Sequence, residues 1–110
     1  MNNSNIEKKV EELKIMLDNC EDFILLDVRT DNEVLISKIS EKSVHIPMNE
    51  IPNRLNEIND DKEIIVYCKS GKRSTKVCEY LKLNNYTDVK NLSGGILAWS
   101  KQIDPSILVH

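Results

Sequence analysis

Two short apolar segments place the strongest constraint on the fold of this chain. Residues 23–28 are apolar except for Asp27, and residues 64–67 form a second uninterrupted run. Runs of this length without polar alternation are typical of strands that are buried on both faces of a parallel sheet. A predicted helix follows each run. The sequence therefore predicts an α/β fold with a central parallel sheet and helices on both of its faces.

The N-terminal region carries the pattern of a helix start. Ser4 and Glu7 have the spacing of a capping box, and apolar residues follow at helical spacing. We expect a helix over residues 5–19. Cys20, directly after it, is interpreted as a buried or half-buried filler of the core.

Other elements follow from the spacing of apolar residues. The face of a second helix is predicted from Met48, Ile51, Leu55 and Ile58. Pro52 would lie in its first turn, where proline is tolerated. The remaining helices are predicted over residues 31–38, 74–83 and 96–101, and the strands over residues 23–28, 44–46, 63–67 and 87–90. This gives a sheet of four strands, or of five if the pattern hides one, and an extended tail from residue 102 to 110.

Length and composition indicate one soluble globular domain. The chain has 110 residues, of which 40% are hydrophobic and 30% charged, so residues 1–110 are expected to form a single domain. No apolar run is long enough to span a membrane, and the N-terminus lacks the pattern of a secretory signal. The net charge of −3 does not favour nucleic acid as a partner. We therefore expect a cytoplasmic protein that binds neither nucleic acid nor membranes.

The three cysteines follow neither a disulfide pattern nor a metal-binding pattern. Cys20, Cys68 and Cys78 are odd in number and include no Cys-x-x-Cys pair, which favours a reducing compartment. The two histidines, His45 and His110, are far apart in sequence. A structural zinc site is therefore not expected. Cys78 is interpreted as a core residue.

One segment of this acidic chain is cationic. Residues 67–78 contain four basic residues and no acidic one. The four are Lys69, Lys72, Arg73 and Lys76. Such an island can attract a small anion, although a solvated run of charges would have the same composition. Charge alone leaves both interpretations open.

Cys68 follows the clearest predicted strand and precedes a helix, and ligands of open α/β sheets bind at such strand ends. Gly71 supplies the backbone freedom for a sharp turn, so that N–H groups of the loop and the helix start can surround an anion. These donors and the nearby cations would lower the pKa of the Cys68 thiol. The thiolate could take a sulfur atom, and the same donors would hold the Cys–S–S⁻ product. The alternative is a cysteine that merely follows a strand.

Three segments together resemble the rhodanese-like domain family. Residues 68–74, with the sequence Cys-Lys-Ser-Gly-Lys-Arg-Ser, resemble the active-site loop of that family. Residues 27–29, with Glu33, resemble its Asp-Val-Arg segment, and residues 94–99 resemble its C-terminal Gly-Gly-x-x-x-Trp segment. The resemblance extends over residues 5–108, which is nearly the whole chain.

The resemblance implies a role for the loop residues. Cys68 would be the nucleophile that forms the persulfide, and the backbone N–H groups of residues 69–73 would bind the sulfur. Arg73 would attract an anionic donor such as thiosulfate. The loop that binds substrate and persulfide would comprise Lys69, Ser70, Gly71, Lys72, Arg73 and Ser74. No metal or cofactor is expected.

Asp27 and Arg29 are interpreted as supporting residues, with an ion pair to Glu33. The length of the loop separates two chemistries within the superfamily, because the resemblance implies that phosphatase and arsenate-reductase relatives have a loop longer by one residue. The shorter loop here would suit one sulfur atom rather than a tetrahedral phosphate. Residues 37–43 depart from the family because they lack glycine, which affects an expected local turn but not the loop.

Three functions compete for this site. The first is an enzyme that passes sulfur from thiosulfate or another donor to a thiophilic acceptor. The second is a relay between a cysteine desulfurase and a sulfur-carrier pathway. It is suggested by residues 94–106, which resemble the end of the rhodanese domain fused to adenylyltransferases of sulfur carriers. The third is a non-catalytic binding module, and the presence of Cys68 in a cationic loop counts against it.

Overall fold

Five strands form one parallel sheet in a computed structural model that describes residues 6–109. The strands are β1 (Glu7–Lys8), β2 (Ile24–Asp27), β3 (Val44–His45), β4 (Ile64–Tyr67) and β5 (Val89–Leu92). Their order across the sheet is β1-β5-β4-β2-β3, and each neighbouring pair is parallel. The predicted parallel sheet is confirmed, with β1 as its fifth strand.

Helices connect the strands and cover both faces of the sheet. They are α1 (Val10–Asp18), α2 (Asp31–Ile36), α3 (Lys72–Leu83) and α4 (Gly95–Gln102). The predicted bounds of α2, α3, α4 and strands β2 to β5 differ from the observed ones by at most two residues. In the described part of the chain, none of the helices combines the length and the apolar character that crossing a membrane requires.

Alternate side chains of β4 enter two separate cores. Ile64 and Val66 pack with α3 on one face, whereas Ile65 and Tyr67 pack with α1 and α4 on the other. All four residues are at most 1% exposed, and burying one such side chain contributes about 1.5–3 kcal/mol. Burial on both faces explains why this strand has no polar alternation.

The N-terminal prediction was wrong in part. The capping box was expected at Ser4, which lies outside the described residues, and Glu7 belongs to β1 instead of a helix. β1 pairs with β5, and the backbone N–H of Ser93 donates to the carbonyl of Lys8 at 2.9 Å. Helix α1 begins three residues after Glu7, and the Glu12 carboxylate accepts the N–H that precedes its first turn. A two-residue strand is too short to show the period from which strands are predicted.

The second predicted helix is not an α-helix. It consists of two 3-10 segments, Met48–Asn53 and Leu55–Glu57, with a break at Arg54. Pro52 lacks the N–H that would bond to the carbonyl four residues earlier in an α-helix, which favours the tighter turn. The four apolar residues still face one core, as the spacing predicted.

The C-terminal tail turns back instead of extending. The carbonyl of Trp99 accepts the backbone N–H groups of Ile103 and Asp104 at 2.8 and 3.0 Å. Ile107 and Val109 then pack against the core that α1 and α4 form. An extended tail was expected over residues 102–110, and the packing of these two side chains against the core accounts for the difference.

Cys20 is exposed and is not the core residue that the sequence suggested. It follows α1 with a φ of 54°, in the left-handed region. The N–H of Cys20 bonds to the carbonyl of Leu17, and the N–H of Glu21 bonds to that of Met16. This pair of hydrogen bonds is a Schellman motif, which favours glycine at the position of Cys20.

Replacing Cys20 by glycine should therefore stabilise the protein. A side chain in the left-handed region costs about 1–2 kcal/mol, and the greater freedom of glycine in the unfolded chain returns part of that. We expect a gain of about 0.5–1 kcal/mol in the free energy of unfolding, measured by urea denaturation. The neighbouring variant Asn19→Gly, at a φ of −85°, should give no gain. Equal stabilisation by both variants would contradict the argument.

Candidate active site

The loop after β4 directs backbone donors at the sulfur of Cys68. Gly71 has a φ of 102°, which turns the chain into α3. The Sγ atom accepts the N–H of Gly71 at 3.1 Å and the N–H of Ser74 at 3.4 Å, and the Ser74 hydroxyl oxygen lies 3.3 Å away. The cradle of donors thus exists, but it extends to Ser74, one residue beyond the predicted range 69–73.

These donors change the acidity of Cys68. Burial raises the pKa of the thiol, but the contact with the Ser74 hydroxyl and the hydrogen bonds from the N–H groups of Ser74, Gly71 and Ser70 outweigh that effect, so that the pKa is lowered. The residue is 1% exposed. Cys68 is therefore buried, but it is buried among donors that favour its anion.

The loop arginine has a carboxylate partner. Arg73 donates to both oxygens of Glu33, with Nη1 and Nη2 at 2.7 and 2.9 Å. This hydrogen bonding lowers the pKa of Glu33 to about 2 and raises the pKa of Arg73. Glu33 was expected to pair with Arg29, and that expectation was wrong. The pair ties α2 to the start of α3 and offsets the positive charge of Arg73.

Arg29 pairs instead with Asp27 in the interior. The Asp27 carboxylate accepts the backbone N–H and the Nε–H of Arg29, each at 3.0 Å, and the Nη2–H at 2.8 Å. The same Nη2 donates to the carbonyl of Ser37 at 2.6 Å, and the guanidinium lies 5.5 Å from the ring centre of Tyr67. Asp27 is 0% and Arg29 is 2% exposed. The pair therefore holds the end of β2 to the segment after α2.

The start of α4 holds the cysteine loop from the opposite side. Two N–H groups of its first turn, those of Ile96 and Leu97, donate to the carbonyls of Cys68 and Lys69 at 2.9 and 3.0 Å. Gly95 has a φ of 59°, and a Cβ atom there would come within 2.5 Å of those carbonyl oxygens. Glycine thus permits the helix to approach the loop backbone.

The other predicted loop residues differ in their exposure to solvent. Lys69 is half-buried, whereas Ser70 and Lys72 are exposed. Ser70 and Lys72 line an open groove of about 680 Å³ beside the loop.

Cys78 is 1% exposed, and burial raises the pKa of its thiol to about 12, which agrees with its prediction as a core residue. Among residues 6–109, no three His, Cys, Asp or Glu side chains lie together as a metal site requires.

Two polar residues near the loop were missed by the sequence analysis. Asn91 in β5 is 3% exposed, and its Oδ1 accepts the hydroxyl proton of Ser74. Glu7 in β1 accepts from the Asn91 amide. The predicted strand ended at residue 90, so that Asn91 fell outside it, and Glu7 was placed in a helix. No sequence signal in either position pointed to the cysteine loop.

Comparison with known proteins identifies the family. Residues 9–102 match the rhodanese-like domain. A sulfurtransferase of Allochromatium vinosum is 41% identical over 91 residues, which cover 83% of this chain and 84% of that protein. The crystal structure of a rhodanese-like domain protein from Staphylococcus aureus is 35% identical, with a TM-score of 0.81, and the match covers 94% of this chain and 97% of the other.

The chain also resembles a part of larger proteins. An adenylyltransferase and sulfurtransferase of Zea mays, MOCS3-1, is 29% identical over 106 residues. The match covers 90% of this chain but only 22% of that protein. The similarity to such fused domains, expected from the C-terminal segment, is thus confirmed. The fold, the donors around Cys68 and these matches together show that the chain belongs to the rhodanese-like domain family.

Proposed function

We propose that this chain is a sulfurtransferase that carries sulfur as a persulfide on Cys68. The proposal depends above all on the donors around Sγ, the N–H groups of Gly71 at 3.1 Å and of Ser74 at 3.4 Å. Donors that are fixed by the backbone stabilise a negative charge on sulfur without reorganisation during the reaction. The sulfurtransferase name of the Allochromatium relative supports the same activity.

The proposed reaction has two displacement steps. In the first, the Cys68 thiolate attacks the outer sulfur of thiosulfate. An S–S bond to Sγ forms, the S–S bond of thiosulfate breaks, and sulfite leaves with the electron pair of the broken bond. In the second, a thiophilic acceptor such as a thiolate attacks the outer sulfur of the persulfide, and Cys68 leaves as a thiolate. The electrons balance within the two substrates, so that no cofactor is needed.

Mass spectrometry of the intact protein tests this proposal. Exposure to thiosulfate should add the mass of one sulfur atom to the wild type, and Cys68→Ser should gain nothing because the nucleophile is absent. Cys78→Ala is the matched control. It removes a buried thiol that stays protonated at neutral pH, with its pKa raised to about 12, and it should load as the wild type does. Loading of Cys68→Ser would contradict the assignment.

The donor could also be a protein persulfide, and one observation favours this second function. Arg73 is held by Glu33 in a two-point ion pair, so that its charge is largely offset before any donor arrives. Lys69 and Lys72 remain near the loop, but Lys72 is exposed, and solvent weakens its attraction for a small dianion. A protein donor brings contacts of its own and depends less on this charge.

A comparison of two donors separates these functions. Thiosulfate and, separately, a cysteine desulfurase with cysteine should each be tested for the rate at which sulfur is added to Cys68. Faster loading from thiosulfate would favour the enzyme, and faster loading from the desulfurase would favour the relay to a sulfur-carrier pathway. A failure of both donors would favour a non-catalytic binding module.

A further inference from the structure

A chain of polar side chains leads from the sulfur of Cys68 to the surface. The Ser74 hydroxyl lies 3.3 Å from Sγ and 2.5 Å from Oδ1 of Asn91. The amide nitrogen of Asn91 lies 3.3 Å from each carboxylate oxygen of Glu7, which also accepts the hydroxyl of Ser93 at 2.6 Å. Cys68, Ser74 and Asn91 are at most 3% exposed, and Glu7 is exposed.

The Glu7 carboxylate at the surface fixes the direction of each hydrogen bond between it and Cys68. The Glu7 carboxylate can only accept, so that the NH₂ group of Asn91 must face it. The carbonyl oxygen of Asn91 then faces Ser74, and it too can only accept. The one proton of the Ser74 hydroxyl therefore points at Asn91. This leaves the oxygen lone pairs of Ser74 toward Sγ, where they can accept the S–H proton of the thiol.

Ionisation of Cys68 puts two acceptors in competition for this proton. A thiolate has no proton to donate and is stabilised if the Ser74 hydroxyl turns toward it. Turning leaves the buried carbonyl oxygen of Asn91 without its donor, which is unfavourable. The backbone N–H groups of Gly71 and Ser74 donate to Sγ in either state. Asn91 thus acts against the donors that stabilise the thiolate, whereas the Ser74 hydroxyl can serve either acceptor.

We propose that Asn91 is a positioning residue that, with its amide held by Glu7, draws the Ser74 hydroxyl proton away from Cys68 and so restrains ionisation of the sulfur. The pairing of β1 with β5 builds this arrangement, since Glu7 is in register with Asn91. The proposal deepens the proposed function, because the thiolate of Cys68 is its nucleophile. These hydrogen bonds give the pairing of β1 with β5 a role in tuning that nucleophile.

Several other ionisable groups lie on the elements around the loop. By element they are Glu7 in β1, Asp27 and Arg29 at the end of β2, Glu33 in α2, Lys69 in the loop, and Lys72, Arg73, Lys76, Cys78 and Glu79 in α3. Substitution of Asn91 or Ser74 changes none of these charges. A change in the acidity of Cys68 in those variants would therefore report on hydrogen bonding.

The test is the pH dependence of Cys68 alkylation by iodoacetamide, followed by intact mass in a Cys20→Ser background that lacks the exposed thiol. Leucine has nearly the shape of asparagine but no hydrogen-bond acceptor. Asn91→Leu should therefore lower the midpoint pH of Cys68 alkylation by about half to one unit, which corresponds to the strength of one hydrogen bond. Ser74→Ala should raise the midpoint. The increase caused by Ser74→Ala should be larger in the Asn91→Leu background, because the Ser74 hydroxyl there donates only to the thiolate.

Opposite signs distinguish this arrangement from a structural role. A loop that was merely loosened would shift both variants in the same direction, and that result would overturn the proposal, as would an unchanged midpoint in Asn91→Leu. Thermal unfolding would establish that each variant is folded. Since alkylation needs no sulfur donor, the predicted shifts could appear even if Cys68 took up no sulfur. In that case the proposed sulfurtransferase function would be wrong, and the role of Asn91 would still hold.

A second variant tests the role of Glu7, the exposed residue that holds the Asn91 amide. Glu7→Gln replaces an acceptor by a group that can also donate, which frees the Asn91 amide to reverse and should lower the midpoint. Glu79→Gln is its matched control, because Glu79 lines the same groove from α3 and its replacement removes the same charge. Equal shifts in the two variants would mean that charge, and not orientation, is responsible, and would overturn the role given to Glu7.

Discussion

Asp27→Asn should lower the free energy of unfolding by about 3–5 kcal/mol, the usual cost of removing one partner of a buried ion pair. The carboxylate accepts three donors of Arg29, and an amide in its place would turn an NH₂ group toward the guanidinium. Because domains of this size have about 5–15 kcal/mol of stability in total, the variant should be close to unfolding. Urea denaturation measures the loss.

The surface pair of Lys14 and Asp18 provides the control. Both side chains are about half exposed, and Nζ lies 2.7 Å from the carboxylate. Asp18→Asn makes the same chemical change in water and should cost no more than about 1 kcal/mol. A double variant, Asp27→Asn with Arg29→Met, should regain part of the loss because no buried charge remains. Similar costs for Asp27→Asn and Asp18→Asn would contradict the argument.

The cysteine loop could be predicted because its parts are contiguous. A strand, Cys68, Gly71 and a helix follow one another within about a dozen residues, and a strand-to-helix turn of that length directs its N–H groups inward by geometry alone. The buried strand β4 was predictable for a similar reason. An uninterrupted apolar run has few alternatives to burial on both faces of a sheet.

The partners of the loop could not be predicted because the chain brings them from a distance. Glu33 and Arg73 are 40 positions apart, and Glu7 and Asn91 are 84 apart. Arg29 had three carboxylates within four residues, those of Asp27, Asp31 and Glu33, and sequence gives no rule for choosing among them. The fold decides, since it directs Arg29 inward beside Asp27 and leaves Glu33 facing Arg73.

The errors at the N-terminus and after β3 have a common cause. The pattern at Glu7 fitted a helix start, but tertiary pairing with β5 determined the structure there. Apolar residues from Met48 to Ile58 fitted a helical face, and Pro52 decided between two kinds of helix. In both regions local spacing identified the residues that face the core better than it identified the backbone conformation.

Gly95→Ala should reduce sulfur loading of Cys68 about 100-fold, the effect of displacing a reacting group by roughly 1 Å. The new Cβ would lie 2.5 Å from the carbonyl oxygens of Cys68 and Lys69 and 2.6 Å from the carbonyl carbon of Lys69. These are backbone atoms, so that no side-chain rotation can relieve the collision. The loop must shift, and its N–H groups leave their places around Sγ. Stability should fall by about 2–4 kcal/mol, from the left-handed φ and the overpacking.

The adjacent glycine separates displacement of the loop from backbone strain. Gly94 also has a left-handed φ, of 78°, but a Cβ there would collide only with the methyl group of Ala98, at 2.6 Å. The double variant Gly94→Ala with Ala98→Gly keeps the strain and removes the collision. It should lose stability yet load sulfur at close to the wild-type rate, because the loop stays in place. If Gly95→Ala also loaded at that rate while folded, the contact between α4 and the loop would not be what positions Cys68.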